Sequence, residues 1–133
     1  TPLAAGENAH DIFDFKALIM TSGIRFFMPD VSKAGGFTGV LRGISLAESW
    51  GVVCSPHYYG SDIGFAASLH LMASKGACSF IQRDVSPAPL REAVLKKPII
   101  IRNGYAVVPD EPGLGVEVNE DVFEEHRVQL SSF

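Results

Sequence analysis

Four polar side chains that could do chemistry follow short apolar runs, at intervals of roughly 25 residues. They are Glu7, Asp30, His57 and Gln82. A carboxylate could bind a hard cation such as Mg²⁺, and an imidazole can act as a base near neutral pH. A carboxylate beside His57 would fix its tautomer and raise its basicity. Two alternatives stay open, since Asp30 could cap the segment that follows it and His57 could bind zinc.

The apolar runs predict four strands separated by helical stretches of ten to fourteen residues. We expect strands at residues 3–7, 26–30, 52–57 and 79–82 and helices at 10–22, around 40–47 and at 62–74. Two of the helices show an apolar face that should pack on a sheet. These faces consist of Phe13, Ala17 and Met20 in the first helix and Val40, Leu41, Ile44 and Ala47 in the second.

Repeated strand–helix units imply parallel strands joined by right-handed crossovers. Four such units form either half of a (β/α)8 barrel or a small open sheet. An open sheet usually carries a Gly-rich phosphate loop after its first strand, and no G-x-G-x-x-G motif follows residues 3–7. We therefore predict an α/β fold, the C-terminal half of a (β/α)8 TIM barrel. Its polar strand ends would lie at the edge where such barrels hold their catalytic groups.

The pattern changes after the fourth predicted strand. Residues 86–89 read Ser-Pro-Ala-Pro and are expected to be irregular. Residues 98–109 predict a β-hairpin with Asn103 and Gly104 at its turn, and a short exposed helix is expected at 120–130. We divide the chain into a half-barrel, residues 1–97, and an extension, residues 98–133.

Composition excludes several classes of protein. The chain has 133 residues, of which 47% are hydrophobic and 20% charged, the balance of one ordinary globular domain. A net charge of −4 without a basic patch argues against nucleic-acid binding. No apolar run reaches the roughly 18 residues that a membrane helix needs. Cys54 and Cys78 form no C-x-x-C pair, so we expect them to pack as small apolar residues in a reducing, cytoplasmic setting.

Several motifs, in a consistent order, resemble the enolase superfamily and, within it, the mandelate racemase subgroup. The central motif is residues 28–36, which read MPDVSKAGG, and the resemblance covers residues 2 to about 118. The other matching segments are Gly-Glu-Asn at 6–8, Ser-Pro-His at 55–57, IGFAASLHL at 63–71 and PDEPGLGV at 109–116.

The resemblance implies a role for each strand-end residue. Glu7 matches a carboxylate ligand of one Mg²⁺ ion, and Asp30 and His57 match a catalytic Asp–His dyad. In the family, two further carboxylate ligands come from earlier strands, so the site on this chain is expected to be incomplete. Further contacts with the substrate or around the metal are assigned to Asn8, Lys33, Tyr58 and Gln82.

The resemblance also implies the reaction, which removes the proton α to a carboxylate through a metal-stabilised enediolate. We expect this chain to be part of a longer homo-oligomeric enzyme that acts on a small carboxylate, an acid sugar, and to be inactive alone. Its extension should pack on an N-terminal capping domain that this sequence does not contain. Dehydration is the first expectation, because His57 could also serve as the general acid for the leaving β-hydroxyl group. Racemization or epimerization of a 2-hydroxy acid is the second, because it needs a second base on the opposite face and because Gln82 stands where the family often has an acidic Glu. A non-catalytic half-barrel that acts in assembly or ligand binding is the alternative from another class.

Overall fold

Three short parallel strands form a sheet in the order of the sequence in the computed structural model, which describes residues 1–76 and 78–128. Ala4 pairs with Phe26, and Phe26 pairs with Val53. This sheet confirms the predicted α/β fold with parallel strands. The strands are β1 (Ala4–Ala5), β2 (Phe26–Phe27) and β3 (Val53–Cys54), and the helices between and after them are α1 (Ile12–Thr21), α2 (Gly36–Ser49) and α3 (Asp62–Ala73).

The regular strands are shorter than predicted, although backbone pairing continues beyond them. The His57 N–H donates to the Pro29 carbonyl at 3.1 Å, and Asp30 and His57 form an isolated parallel bridge. Pro29 and Pro56 have no N–H to donate, so backbone hydrogen bonds are missing from the ladder just before this bridge. The carboxyl ends of β2 and β3 therefore stay in register as far as Asp30 and His57.

The core lies between the sheet and helices α1 and α2. Phe15 of α1 and Phe27 of β2 are fully buried, with ring centroids 5.0 Å apart. Gly43 of α2 permits this contact, because a Cβ there would lie 2.6 Å from the Phe15 ring. The predicted face of α2 is confirmed, since its residues are buried except for the half-buried Leu41.

The apolar stripe predicted for α1 is wrong. Phe13 is 77% exposed and Met20 is also exposed, while Phe15 and Ile19 are buried. The Asp11 side chain caps the helix and fixes where it begins. Apolar residues lie on more than one side of α1. The side that carries Phe15 packs inward, because Gly43 of α2 has no side chain that would overlap the Phe15 ring.

The fourth predicted strand is not a regular strand. Cys78 forms an isolated parallel bridge with Cys54. The Cys54 carbonyl then accepts the Ser79 N–H at 3.2 Å, and the Pro56 carbonyl accepts the Gln82 N–H at 3.3 Å. The three residue steps from Ser79 to Gln82 therefore match the two steps from Cys54 to Pro56, and the extra residue forms a bulge that interrupts the ladder.

The extension contains the predicted hairpin. Strands β4 (Ile101–Arg102) and β5 (Tyr105–Ala106) pair antiparallel, and Asn103 and Gly104 both have positive φ at the turn. The expectation that residues 86–89 are irregular is wrong for Pro89, which begins the short helix α4 (Pro89–Ala93), because proline is tolerated in the first turn of a helix. Helix α5 (Glu120–Glu125) ends earlier than predicted, since residues 126–128 are not helical, and the predicted positions 129–130 lie outside the described residues. Within the described ranges, no helix has the length and apolar character to cross a membrane.

Candidate functional site

Asp30 and His57 meet at the carboxyl ends of two neighbouring strands. His57 Nδ1 lies 3.0 Å from Asp30 Oδ2. Asp30 is 1% exposed and His57 is 7% exposed, so both side chains are nearly shielded from water. The backbone bridge between the two residues places their side chains on the same side of the sheet. The structure therefore brings together the two residues assigned to the dyad.

The contact decides which ring nitrogen of His57 is available for chemistry. A carboxylate can only accept a hydrogen bond, so in the neutral imidazole Nδ1 carries the hydrogen and Nε2 carries the lone pair. No hydrogen bond among the described residues occupies Nε2. A neutral imidazole that is oriented in this way can accept a proton from a bound molecule.

Ser32 is a contributor to this site that the sequence analysis missed. Asp30 Oδ1 accepts the Ser32 backbone N–H at 2.8 Å and the Ser32 hydroxyl at 2.5 Å. Both carboxylate oxygens of Asp30 are thus held, one by Ser32 and one by His57. The Asp-x-Ser pattern, which is typical of side-chain turns, could have indicated this contact.

The loops that follow the carboxyl ends of β1 and β2 carry three more of the predicted site residues. Glu7 and Asn8 lie in the first loop and Lys33 lies in the second. Lys33 Nζ donates to Asn8 Oδ1 at 3.0 Å and so joins the two loops. Glu7 is exposed and makes no side-chain hydrogen bond within the described part of the chain. The structure brings Asn8 and Lys33 together and leaves the Glu7 carboxylate facing solvent.

Glu7 is the candidate metal ligand that the described part of the chain provides at this edge. Among residues 1–76 and 78–128, no group of three or more His, Cys, Asp or Glu side chains is placed to hold a metal ion. An exposed carboxylate at a strand end fits a hard cation as one oxygen ligand. Mg²⁺ would therefore need ligands in addition to Glu7.

The two remaining predicted contacts are Tyr58, which follows His57 in the chain, and Gln82, whose N–H donates to the Pro56 carbonyl at 3.3 Å. Tyr58 is buried against Phe65 and Leu69 of α3, and a side chain at Gly64 would overlap its hydroxyl. The Tyr58 ring is therefore part of the packing around α3. The Gln82 side chain is exposed at the end of the bulged segment.

An ion pair between a buried carboxylate and a half-buried guanidinium, also missed from the sequence, connects the segments that follow His57 and Gln82. Arg83 donates to both carboxylate oxygens of Asp62, at 2.8 and 3.3 Å, and Asp62 is 1% exposed. The Arg83 guanidinium also lies 4.6 Å from the centre of the Phe65 ring. No local pattern signals this pair, because its partners lie on different elements.

Comparisons with known proteins show which family of sequences and structures this chain is similar to. A sequence model of the enolase C-terminal domain-like family matches residues 1–122. D-galactarolactone cycloisomerase from Agrobacterium fabrum (strain C58) is 31% identical over 135 residues, which cover 96% of this chain and 36% of that protein. D-galactonate dehydratase from Xanthomonas campestris pv. campestris (strain B100) is 34% identical over 128 residues, which cover 91% and 33%.

A solved structure shows the same fold. The mandelate racemase/muconate lactonizing enzyme-like protein from Rubrobacter xylanophilus superposes with a TM-score of 0.86 and 33% sequence identity. The match covers 97% of this chain and 33% of that protein. The chain spans about a third of the length of the curated relatives it matches.

Proposed function

The chain belongs to the enolase superfamily, in the mandelate racemase/muconate lactonizing enzyme family, and we propose that it is part of an enzyme that removes the proton α to a carboxylate of an acid sugar. In this proposal the chain forms the C-terminal half of a (β/α)8 barrel. One observation carries it: a buried histidine is held at 3.0 Å by a buried carboxylate at the carboxyl ends of parallel strands.

His57 would act as the general base in this reaction. Its Nε2 would accept the α-proton, while Asp30 holds the Nδ1 hydrogen and stabilises the positive charge that develops on the ring. Ser32 keeps the Asp30 carboxylate in place through its two hydrogen bonds. In a dehydration, the protonated His57 could then give its proton to the leaving β-hydroxyl group.

Mg²⁺ is the cofactor that this chemistry calls for. When bound, it would stabilise the negative charge that develops on the substrate carboxylate as the proton leaves. We assign Glu7 as one oxygen ligand and expect the others from the part of the protein outside this chain. The Lys33–Asn8 hydrogen bond would hold the loop that carries Glu7 beside the loop after β2.

The dehydratase among the named relatives favours an elimination of water over a racemization. D-galactonate dehydratase and D-galactarolactone cycloisomerase are both named for derivatives of acid sugars. Racemization or epimerization of a 2-hydroxy acid is less well supported, because the Gln82 amide cannot supply a proton. A purely structural half-barrel would have no need for a buried, hydrogen-bonded Asp–His pair at its strand ends.

We also propose that the extension contacts a capping domain in the full-length protein. Ile100, Ile101 and Tyr105 of the hairpin are exposed apolar side chains that such a domain could cover. A homo-oligomeric, cytoplasmic enzyme is the corresponding proposal for the complete protein.

Exchange of the substrate α-proton with deuterated solvent, followed by NMR, tests the proposed base. In the full-length protein with an acid-sugar substrate, His57→Asn should slow exchange by at least the roughly 10²–10⁴-fold usual for a general base. The Mg²⁺ affinity should be retained, because His57 is not assigned as a ligand.

His70→Asn is the matched control for this experiment. His70 lies on α3 and bonds the Leu114 carbonyl through Nε2 at 3.0 Å, outside the dyad. This variant should exchange at close to the wild-type rate. Unchanged exchange in His57→Asn, or loss of Mg²⁺ binding in that variant, would show that His57 is not the base.

A further inference from the structure

Cys54 and Cys78 lie side by side in a part of the sheet that the proposed reaction does not use. They form a parallel bridge between β3 and the bulged segment. Cys54 is fully buried and belongs to the hydrophobic core cluster. Cys78 is half-buried and packs against that cluster. Both thiols are free, so their proximity follows from the fold and not from a covalent bond.

The distance between paired strands suits a covalent link between these residues. Neighbouring strands lie about 4.7–4.9 Å apart, and the Cα atoms of a disulfide are usually about 4.4–6.8 Å apart. Directly paired residues also point to the same face of the sheet. The segments are fixed to each other by the Ser79 N–H on the Cys54 carbonyl at 3.2 Å and the Ser55 hydroxyl on the Phe80 carbonyl at 2.7 Å.

The two thiols differ in reactivity. A hydrogen bond from the Cys54 thiol lowers the pKa of Cys78, and nearby Lys75 adds a smaller effect in the same direction, against burial and Glu48. The same hydrogen bond, followed by burial, raises the pKa of Cys54. Cys78 is therefore the more readily ionised and the more accessible thiol, while Cys54 is held protonated beside it.

We propose that Cys54 and Cys78 form an oxidisable dithiol that closes to a disulfide when Cys78 meets hydrogen peroxide. The Cys78 thiolate attacks one peroxide oxygen, the O–O bond breaks, and the departing hydroxide takes a proton to leave as water. The Cys54 sulfur then displaces the hydroxyl group from the Cys78 sulfenic acid and loses its own proton, which leaves with the hydroxyl as a second water. Two thiols are oxidised by two electrons, and one peroxide is reduced to two waters.

The disulfide would join the bulged segment to the sheet without altering the dyad. Cys54 lies ahead of His57 on β3, and Cys78 lies ahead of Gln82 on the neighbouring segment. The bulge leaves this segment with fewer regular backbone hydrogen bonds than the inner strands have. The oxidised protein should therefore unfold at a higher denaturant concentration than the reduced protein, because the link restricts the unfolded chain.

Peptide mapping of the peroxide-treated full-length protein tests the proposal. The protein is exposed to increasing hydrogen peroxide, remaining thiols are alkylated, and the digest is examined by mass spectrometry without reductant. We expect one linked pair of peptides that contain Cys54 and Cys78, lighter by two hydrogens than the sum of the separate peptides. Dithiothreitol should restore both thiols.

Two variants identify the order of events. In Cys54→Ser, Cys78 should accumulate as a sulfenic acid that dimedone traps, because the partner that would displace its hydroxyl is absent. In Cys78→Ser, the buried Cys54 should remain an unreacted thiol under the same conditions.

The wild-type map alone decides the proposal if either variant fails to fold. Conversion of Cys78 to a sulfinic acid without a link to Cys54 would overturn it, as would two intact thiols after treatment. A disulfide from either residue to a cysteine elsewhere in the protein would also overturn it. None of these outcomes depends on whether His57 acts as a base.

Discussion

At the centre of the sheet edge, Asp30 and His57 are buried and joined at 3.0 Å, whereas Glu7 on one side and Gln82 on the other are exposed. The central pair lies on strands that are in register up to the bridge between them. Glu7 follows the outer strand β1, and Gln82 follows a bulged segment with an interrupted ladder. The same chain thus fixes one pair of site residues and leaves its neighbours open to solvent.

The difference shows what adjacent strands can build without help from the rest of the protein. A proton acceptor needs a fixed tautomer and orientation, and one backbone bridge with two buried side chains supplies both. A metal site needs several ligands from several strands, and the proposal assigns only one of them, Glu7, to this chain. The proposed remaining strands would complete the two flanks, while the centre is already formed.

The largest difference should appear in the free energy of unfolding, when a phenylalanine is replaced by alanine in the central strand β2 and in the bulged segment at the flank. Phe27→Ala removes a fully buried ring that packs against Phe15, and about 3–5 kcal/mol of unfolding free energy should be lost. Phe80→Ala removes a ring that is 47% exposed on the bulged segment, and the loss should be nearer about 1 kcal/mol. Urea unfolding of both variants measures this difference, and equal losses would show that the flank is as well packed as the centre.

A smaller effect is expected on the metal when the exposed flank is changed. Glu7→Gln replaces an anionic ligand by a neutral amide, so Mg²⁺ affinity in the full-length protein should fall by more than the roughly 10–100-fold usual for residues that only support a ligand. Activity should fall with it. Isothermal titration with Mg²⁺ measures the affinity, and Glu48→Gln on α2 is the matched control. An unaltered affinity in Glu7→Gln would exclude Glu7 as a ligand.

The smallest effect is expected on the pH dependence of stability, through the Asp84 carboxyl that follows the bulged segment. Hydrogen bonds from the Ser86 N–H and hydroxyl, with the charge of Arg91, lower the pKa of Asp84. A carboxyl whose pKa is lowered by folding stabilises the protein fully above its ordinary pKa, and that contribution is lost as pH falls through the lowered value. Asp84→Asn should therefore weaken the protein slightly at neutral pH and reduce its loss of stability in acid.

Denaturant midpoints measured from neutral to acidic pH test this expectation, with the exposed Asp110→Asn as control. If Asp84→Asn loses stability in acid as steeply as the wild type does, the Asp84 carboxyl does not contribute to the pH dependence of stability.

The central part of the site was predictable because it depends on local order. The position of Asp30 and His57 at the ends of successive parallel strands indicated that they would lie together, and the Asn103–Gly104 turn indicated the hairpin. The rest depends on contacts between distant residues. The face of α1 is chosen by the space that Gly43 leaves for Phe15, which the pattern of α1 alone does not contain.

Two other features show the same limit. The bulge depends on how the segment after Cys78 aligns with β3, and strand propensity does not encode an extra residue in a ladder. The Asp62–Arg83 pair joins elements that meet only in the folded chain. These features decide which neighbours of the dyad are fixed, and they are the ones for which a structure is needed.

A double-mutant cycle on Asp30 and His57 tests the central claim most directly. The kcat/KM for removal of the α-proton would be measured for the wild type, Asp30→Asn, His57→Asn and the double variant in the full-length protein. If Asp30 acts only through His57, the double variant should be no slower than His57→Asn alone. Losses that multiply in the double variant would contradict the account, because they would mean that the two residues act on the substrate independently.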